Sequence, residues 1–100
     1  MGLLLSGATA TGAGSSVAMQ EGFRAFQAYG SMSASTGAAT INIEVSNNPT
    51  TAGWIVAATI SLSLSTTSAT DGVSIISGWK YARANVTAIT ANGTVSVEIS

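Results

Sequence analysis

Alternation of apolar and polar residues with a period of two is the feature of this chain that most restricts its fold. Such a period marks half-buried strands, because successive side chains of a strand point to opposite faces. No segment keeps the three- and four-residue apolar spacing of a helix, so the chain predicts an all-β fold. The alternating apolar positions are Ile41, Ile43 and Val45; Trp54, Val56, Ala58, Ile60, Leu62 and Leu64; and Val95, Val97 and Ile99.

Residues typical of turns separate these segments. The segment SNNPTTAG holds the only proline, and Asp71-Gly72 and Asn92-Gly93 are pairs favoured in two-residue hairpin turns. The segment SVAMQEGFRAFQAYGSMS predicts two more strands that divide near Gly22. Seven or eight short strands with this spacing indicate a β-sandwich or a small barrel. Of the two we predict a single antiparallel β-sandwich, Ig-like or jelly-roll-like, over residues 1–100.

The residue types that are missing exclude several function classes. The chain has no cysteine and no histidine, which removes disulfides, thiolate metal sites and the commonest general base. Three basic residues are too few to neutralise a run of phosphates. We therefore expect no enzyme activity, cofactor, metal site or nucleic-acid partner. The four acidic residues lie on different predicted strands and a turn, and are Glu21, Glu44, Asp71 and Glu98.

The low charge favours a subunit of an assembly. Charged residues make up 7% of the chain, against about 25% in ordinary soluble domains. With a net charge of −1, little electrostatic repulsion keeps copies apart. We expect a homo-oligomer.

The N-terminal segment MGLLLSGATATGAGSS, residues 1–16, is predicted to be an extended arm. Its run of Leu3, Leu4 and Leu5 is too short to span a membrane, and no membrane partner is expected. Because these leucines belong to no alternating segment, we expect them to pack against a neighbouring subunit or against the domain itself.

The Asn92-Gly93 pair predicts a hairpin that joins the last two strands. In its register, the apolar side of the last strand is matched by Ala82, Ala84, Val86 and Ala88 on the preceding one. These residues are predicted to form the core together with Val95, Val97 and Ile99.

The same register sends Trp79, Tyr81 and Arg83 to the outside of the sandwich. Aromatic residues and arginine are enriched at protein interfaces, so this stripe is a candidate contact surface. Alternatively, a bulge between Gly78 and Arg83 turns Trp79 or Tyr81 into the core. Trp54 continues an apolar side and is expected in the core.

Two segments carry a resemblance to a known class of proteins. ATINIEVSNNPTTAGWIVAATISLS, followed by GWKYARANVTAITANGTVSVEIS, resembles the small β-sandwich structural proteins encoded among the virion genes of tailed bacteriophages. The shared features are a tryptophan-led strand, an aromatic–x–Arg–Ala ribbon and a final GTVSVEI-like strand, within residues 39–100. The resemblance implies a capsid decoration (cement) or other accessory role in the virion after synthesis in the host cytoplasm. It also implies the major capsid protein or other virion proteins as partners.

A second hypothesis is a carbohydrate-binding or receptor-binding β-sandwich module of a virion or secreted protein. Such a module stacks aromatic side chains on sugar rings, with polar side chains nearby that bind the hydroxyl groups. The candidates for stacking are Tyr29, Trp54, Trp79 and Tyr81, and those for hydrogen bonding are Arg83 and Asn85.

Overall fold

The fold is all-β, as predicted, with two antiparallel sheets that pack as a sandwich. The computed structural model describes residues 2–19, 22–48 and 53–99. The described residues contain no helix, and hence none that is long and apolar enough to cross a membrane. Their strands are β1 (Gly2–Ala8), β2 (Gly12–Ala13), β3 (Val17–Ala18), β4 (Gly22–Met32), β5 (Gly37–Ser46), β6 (Ile55–Leu64), β7 (Ala69–Ser77), β8 (Tyr81–Ile89) and β9 (Gly93–Ile99).

The strands divide between a first sheet, in the order β1-β9-β4-β7, and a second sheet, in which β2 and β3 both pair with β8 and the order continues β8-β5-β6. Every neighbouring pair with a described register is antiparallel. The predicted division of the early segment near Gly22 is confirmed by β3 and β4.

The core lies between the two sheets and follows the alternation in the sequence. The predicted apolar sides of β5, β6 and β9 are buried from Ile41 to Val45, from Ile60 to Leu64 and from Val95 to Ile99. Phe26 on β4 is the largest fully buried side chain of the described residues. On β8 the prediction is confirmed for Ala82, Ala84 and Val86.

The predicted hairpin between β8 and β9 is wrong, because these two strands belong to different sheets. β8 pairs with β5, whereas β9 pairs with β4 and β1. The turn chemistry is present: Asn92 has a φ of 70°, and Gly93 N donates to Thr90 O at 3.0 Å. The chain nevertheless crosses from one sheet to the other there, so the two apolar sides face each other across the core.

The prediction that Ala88 belongs to the core is also wrong, because Ala88 is exposed. The register of β8 against β5 shifts between Val86, which pairs with Ile41, and Ala88, which pairs with Thr40. Thr87 is the extra residue of a bulge, which reverses the sides of the residues that follow it.

The Asp71-Gly72 pair lies inside β7 rather than in a turn. Gly72 pairs with Gln27 of β4, and a Cβ added to Gly72 would lie 2.9 Å from Phe26 O. The glycine therefore allows two backbones to approach closely.

The N-terminal segment is not an extended arm. Residues 2–8 form β1, which pairs with β9, and β2 and β3 pair with β8. Leu4 is buried in the core at 3% exposure, and Leu5 is half-buried against it. The leucines were expected to pack against a neighbouring subunit or against the domain itself. Leu4 and Leu5 pack against the domain, whereas Leu3 is 51% exposed and remains available to a neighbour.

Gly30 on β4 has no room for a side chain, so a substitution there is expected to destabilise the fold. A Cβ at this position would lie 2.6 Å from Thr94 O and 2.8 Å from Val95 Cγ1. We expect Gly30→Ala to lower the free energy of unfolding by about 2 kcal/mol, as overpacking does. At Gly78 an added Cβ meets nothing within 4 Å, so Gly78→Ala should change stability by less than about 0.5 kcal/mol. Urea unfolding followed by circular dichroism checks both, and equal midpoints for the two variants would contradict the packing of β4 against β9.

Candidate functional site

The candidate site is the outer side of the second sheet, which is the side turned away from the first sheet. Residues paired across an antiparallel sheet lie on the same side, so the register of β5 and β8 determines which side chains meet there. The predicted stripe residues Tyr81 and Arg83 lie on this side. The pairs are Ser46 with Tyr81, Glu44 with Arg83, and Asn42 with Asn85.

Glu44 holds the centre of this side. Arg83 Nε donates to Glu44 Oε1 at 2.6 Å, and Asn85 Nδ2 donates to Glu44 Oε2 at 3.0 Å. Glu44 is only 7% exposed although it points outward. A buried carboxylate is costly unless it is paired and hydrogen-bonded. Both oxygens have a partner, and the carboxylate in turn fixes the positions of Arg83 and Asn85.

Trp54 completes the arrangement. The guanidinium carbon of Arg83 lies 4.5 Å from the centroid of the Trp54 ring, which is a cation–π contact. The guanidinium is therefore held by the carboxylate and by the indole ring together. We call Trp54, Arg83, Glu44 and Asn85 the arginine cluster.

The presence of Trp54 in this cluster corrects the prediction that it lies in the core. The register of β6 against β5 shifts between Ala58 and Val56, which leaves Ala57 as the extra residue of a bulge. Val56 consequently shares the side of the arginine cluster and is 51% exposed. The run from Trp54 to Ala58 contains no polar residue, so the sequence holds no signal of the change of side.

Trp79 does not share this side with Tyr81 and Arg83. It precedes β8, is half-buried and packs against the core. The core alternative is therefore correct for Trp79, and the outward interpretation is correct for Tyr81 and Arg83. Trp54 takes the place in the aromatic–arginine group that the sequence assigned to Trp79.

The remaining candidates for sugar stacking do not converge. Tyr29 lies on β4 of the first sheet, where it pairs with Ser96 and Thr70. Only Trp54 and Tyr81 share a side with Arg83 and Asn85.

The strands of the site are otherwise uncharged. β5, β6 and β8 contain two charged residues, Glu44 and Arg83, which pair with each other. Beside them, Thr59 Oγ1 donates to Asn42 Oδ1 at 2.9 Å. The face thus presents an ordered aromatic–arginine group beside hydroxyl and amide groups and the exposed apolar side chain of Val56.

A groove lies over β4 and β7 of the first sheet. It has a volume of about 450 Å³ over Gly72. Gln27 Nε2 donates to Thr70 Oγ1 at 3.0 Å, and Thr70 Oγ1 donates to Ala28 O at 3.0 Å. Asp71 Oδ1 accepts from Gly72 N at 2.8 Å. The lining contains no arginine and its one aromatic residue, Phe26, is buried, so the groove is the weaker candidate for a contact surface. Within the described residues no group of three or more acidic side chains could hold a metal ion.

Comparisons with known proteins extend the fold assignment. No family model matches the sequence, and no curated protein matches it significantly. A solved structure described as "CBM4 structure and function", a carbohydrate-binding module, is similar with a TM-score of 0.59 and 11% sequence identity. The similarity covers 85% of this chain and 57% of that one. At this identity the likeness shows a shared β-sandwich fold.

Proposed function

We propose that this chain is a non-enzymatic structural protein of a tailed-bacteriophage particle, and that it decorates the capsid lattice. The outer side of the second sheet is its contact surface. The resemblance of residues 39–100 to such virion proteins and the charged fraction of 7% support the proposal. The observation that carries it is the arginine cluster, a fixed aromatic–arginine group on an otherwise uncharged face.

The geometry of the cluster suits a contact surface. Aromatic residues and arginine contribute much of the binding energy at interfaces. Part of the cost of binding is the ordering of flexible side chains. Arg83 is already ordered by Glu44 and Trp54 before a partner arrives. The absence of other charges on β5, β6 and β8 lets many copies lie side by side on a lattice without mutual repulsion.

Tyr81→Ala is expected to weaken particle binding about thirtyfold, which corresponds to the loss of about 2 kcal/mol at an interface anchor. Tyr81 is half-buried on the outer side of β8. Ser74→Ala, on the exposed outer side of β7 in the first sheet, is the control and should bind like wild type. Arg83→Ala is a poorer test, because it would leave the buried Glu44 carboxylate without its ion pair.

The assay adds the purified chain to particles of the encoding phage that were grown without the gene, and measures co-sedimentation. Saturable binding at a fixed ratio to the major capsid protein, weakened by Tyr81→Ala, is expected. A chain that remains in the supernatant at all concentrations would overturn the proposal.

Carbohydrate binding is the second candidate function. Trp54 and Tyr81 lie on one face with the hydrogen-bonding groups of Arg83 and Asn85, and the CBM4 structure shares the fold. One consideration weighs against it: Arg83 covers part of the Trp54 ring that would stack on a sugar.

A glycan array and pull-down on insoluble polysaccharides test this candidate with the same Tyr81→Ala and Ser74→Ala pair. Glycan binding that Tyr81→Ala removes, together with no binding to particles, would replace the virion proposal with the carbohydrate one.

A further inference from the structure

The edges of the two sheets differ in how they are protected against pairing with another chain. Natural sheets protect edge strands with bulges, charges or very short strands. In this sandwich β1 carries two register shifts, β2 and β3 have two residues each, and β7 carries Asp71 as its third residue. Three of the four edges therefore have a recognisable protection.

The fourth edge, β6, is the exception. Its sequence IVAATISLSL has neither a charge nor a proline. Beyond the bulge at Ala57, the register from Ala58 to Leu64 is regular. β5 pairs with one side of β6, and no described strand pairs with the other. Alternate N–H and C=O groups of an edge strand point away from its neighbour, so on this side the main-chain donors and acceptors of β6 have no strand partner among the described residues.

We propose that β6 pairs antiparallel with β6 of a second copy of this chain, so that the second sheets of both copies become one continuous sheet. The segment Ala58–Leu64, read ATISLSL, has a nearly symmetric pattern about Ser61. A two-fold axis at Ser61 places Thr59 opposite Ser63 and Ile60 opposite Leu62. Hydroxyl groups meet hydroxyl groups on the outer side, and apolar groups meet apolar groups on the inner side. Such self-complementarity is what a two-fold interface requires.

The absence of charge on β6 favours a second copy of this chain as the partner of this edge. Because β6 carries no charge, pairing with itself brings no like charges together, whereas pairing through β7 would place Asp71 in the interface. The chain leaves the edge at Ser65, whose carbonyl accepts from Met32 N at 2.7 Å. The proposed interface therefore spans the segment 58–64, about 23 Å at the usual strand rise.

This pairing has a consequence for the binding face. Residues opposite each other across antiparallel strands lie on the same side, so the two arginine clusters would share one continuous outer surface. The dimer would thus present its partner with two copies of the site, which raises the effective affinity for a repeated lattice. The pairing itself does not depend on whether that partner is a capsid protein or a glycan.

Ser61→Lys tests the proposal, because Ser61 is exposed in one chain and would lie opposite its own copy in the dimer. Like charges directly opposite each other destabilise a strand pair. Light scattering after size-exclusion chromatography should give wild type at twice the 9.9 kDa of one chain. We expect Ser61→Lys to weaken the association at least about tenfold. Ser74→Lys, the same change on the exposed outer side of β7, should associate like wild type.

Mixing separates charge repulsion from a general disturbance of the strand. Ser61→Lys and Ser61→Glu should each dimerise more weakly than wild type, and their equimolar mixture should regain the dimer, because opposite charges then face each other. A monomeric wild type would overturn the proposal. So would a Ser61→Lys variant that dimerises as tightly as wild type, or a mixture that dimerises no more tightly than the single variants.

Discussion

Val97→Asp is expected to unfold the domain. Val97 is fully buried on β9, where it pairs with Leu5 of β1 and Ala28 of β4. An ionised carboxylate at this position would have no partner, and burying such a group costs several kcal/mol or more. The free energy of unfolding of a small domain is about 5–15 kcal/mol in total, so this single change removes most or all of that stability.

Far-ultraviolet circular dichroism and a thermal melt measure the effect. Thr94→Asp is the matched control, because Thr94 is exposed on the same strand and its aspartate would remain in water. We expect the control to melt cooperatively near wild type, whereas Val97→Asp shows no cooperative transition. A folded Val97→Asp with the melting temperature of the control would contradict the assignment of β9 to the core.

Glu44→Ala is expected to have the second largest effect. It removes the partner of Arg83 and of Asn85 at once, from a position where the carboxylate is 7% exposed. Breaking a buried pair costs about 3–5 kcal/mol when the remaining charge stays buried. The Arg83 side chain is 26% exposed and can reach water. We therefore expect the free energy of unfolding to fall by about 2–3 kcal/mol.

Urea unfolding measures this loss, and tryptophan fluorescence reports on the release of Trp54 from the guanidinium. Glu98→Ala is the matched control: Glu98 lies half-buried on the first sheet, opposite Gln27. We expect the free energy of unfolding of that control to lie within about 0.5 kcal/mol of the wild-type value. Equal stability of the two alanine variants would show that the ion pair does not hold the arginine cluster together.

The sequence alone was sufficient to predict the fold class and most of the core. Alternation decides which side of a strand is buried, and that decision does not depend on which strand lies beside it. Val86 and Val97 were therefore placed correctly although the hairpin on which the prediction rested does not exist. The choice between a hairpin and a crossing to the other sheet is decided by β5 and β4, which take β8 and β9 as neighbours.

Bulges account for the residues that were misplaced. A single extra residue reverses the sides of the residues beyond it, and the bulges at Ala57 and Thr87 moved Trp54 and Ala88 to the outside. Neither bulge is marked by a glycine or a proline in the sequence. The phase of an alternating pattern cannot be followed through Ala57, because the residues around it are all apolar.

The sequence predicts part of the candidate site. The outward positions of Tyr81 and Arg83 follow from the alternation of β8. Glu44 could be placed on the outer side of its own strand, but its position opposite Arg83 depends on the register between β5 and β8. That register joins residues separated by 39 positions in the chain. Long-range pairing of this kind leaves no local signal in the sequence.

We propose the outer side of the second sheet as the surface with which this chain binds the capsid. A cryo-electron microscopy map of the intact particle, resolved well enough to orient the two sheets, tests this claim most directly. The expected result is a decoration layer in which the second sheet faces the capsid shell, with Tyr81 and the arginine cluster in contact with the major capsid protein. A map in which this side faces solvent while the first sheet contacts the shell would contradict the claim.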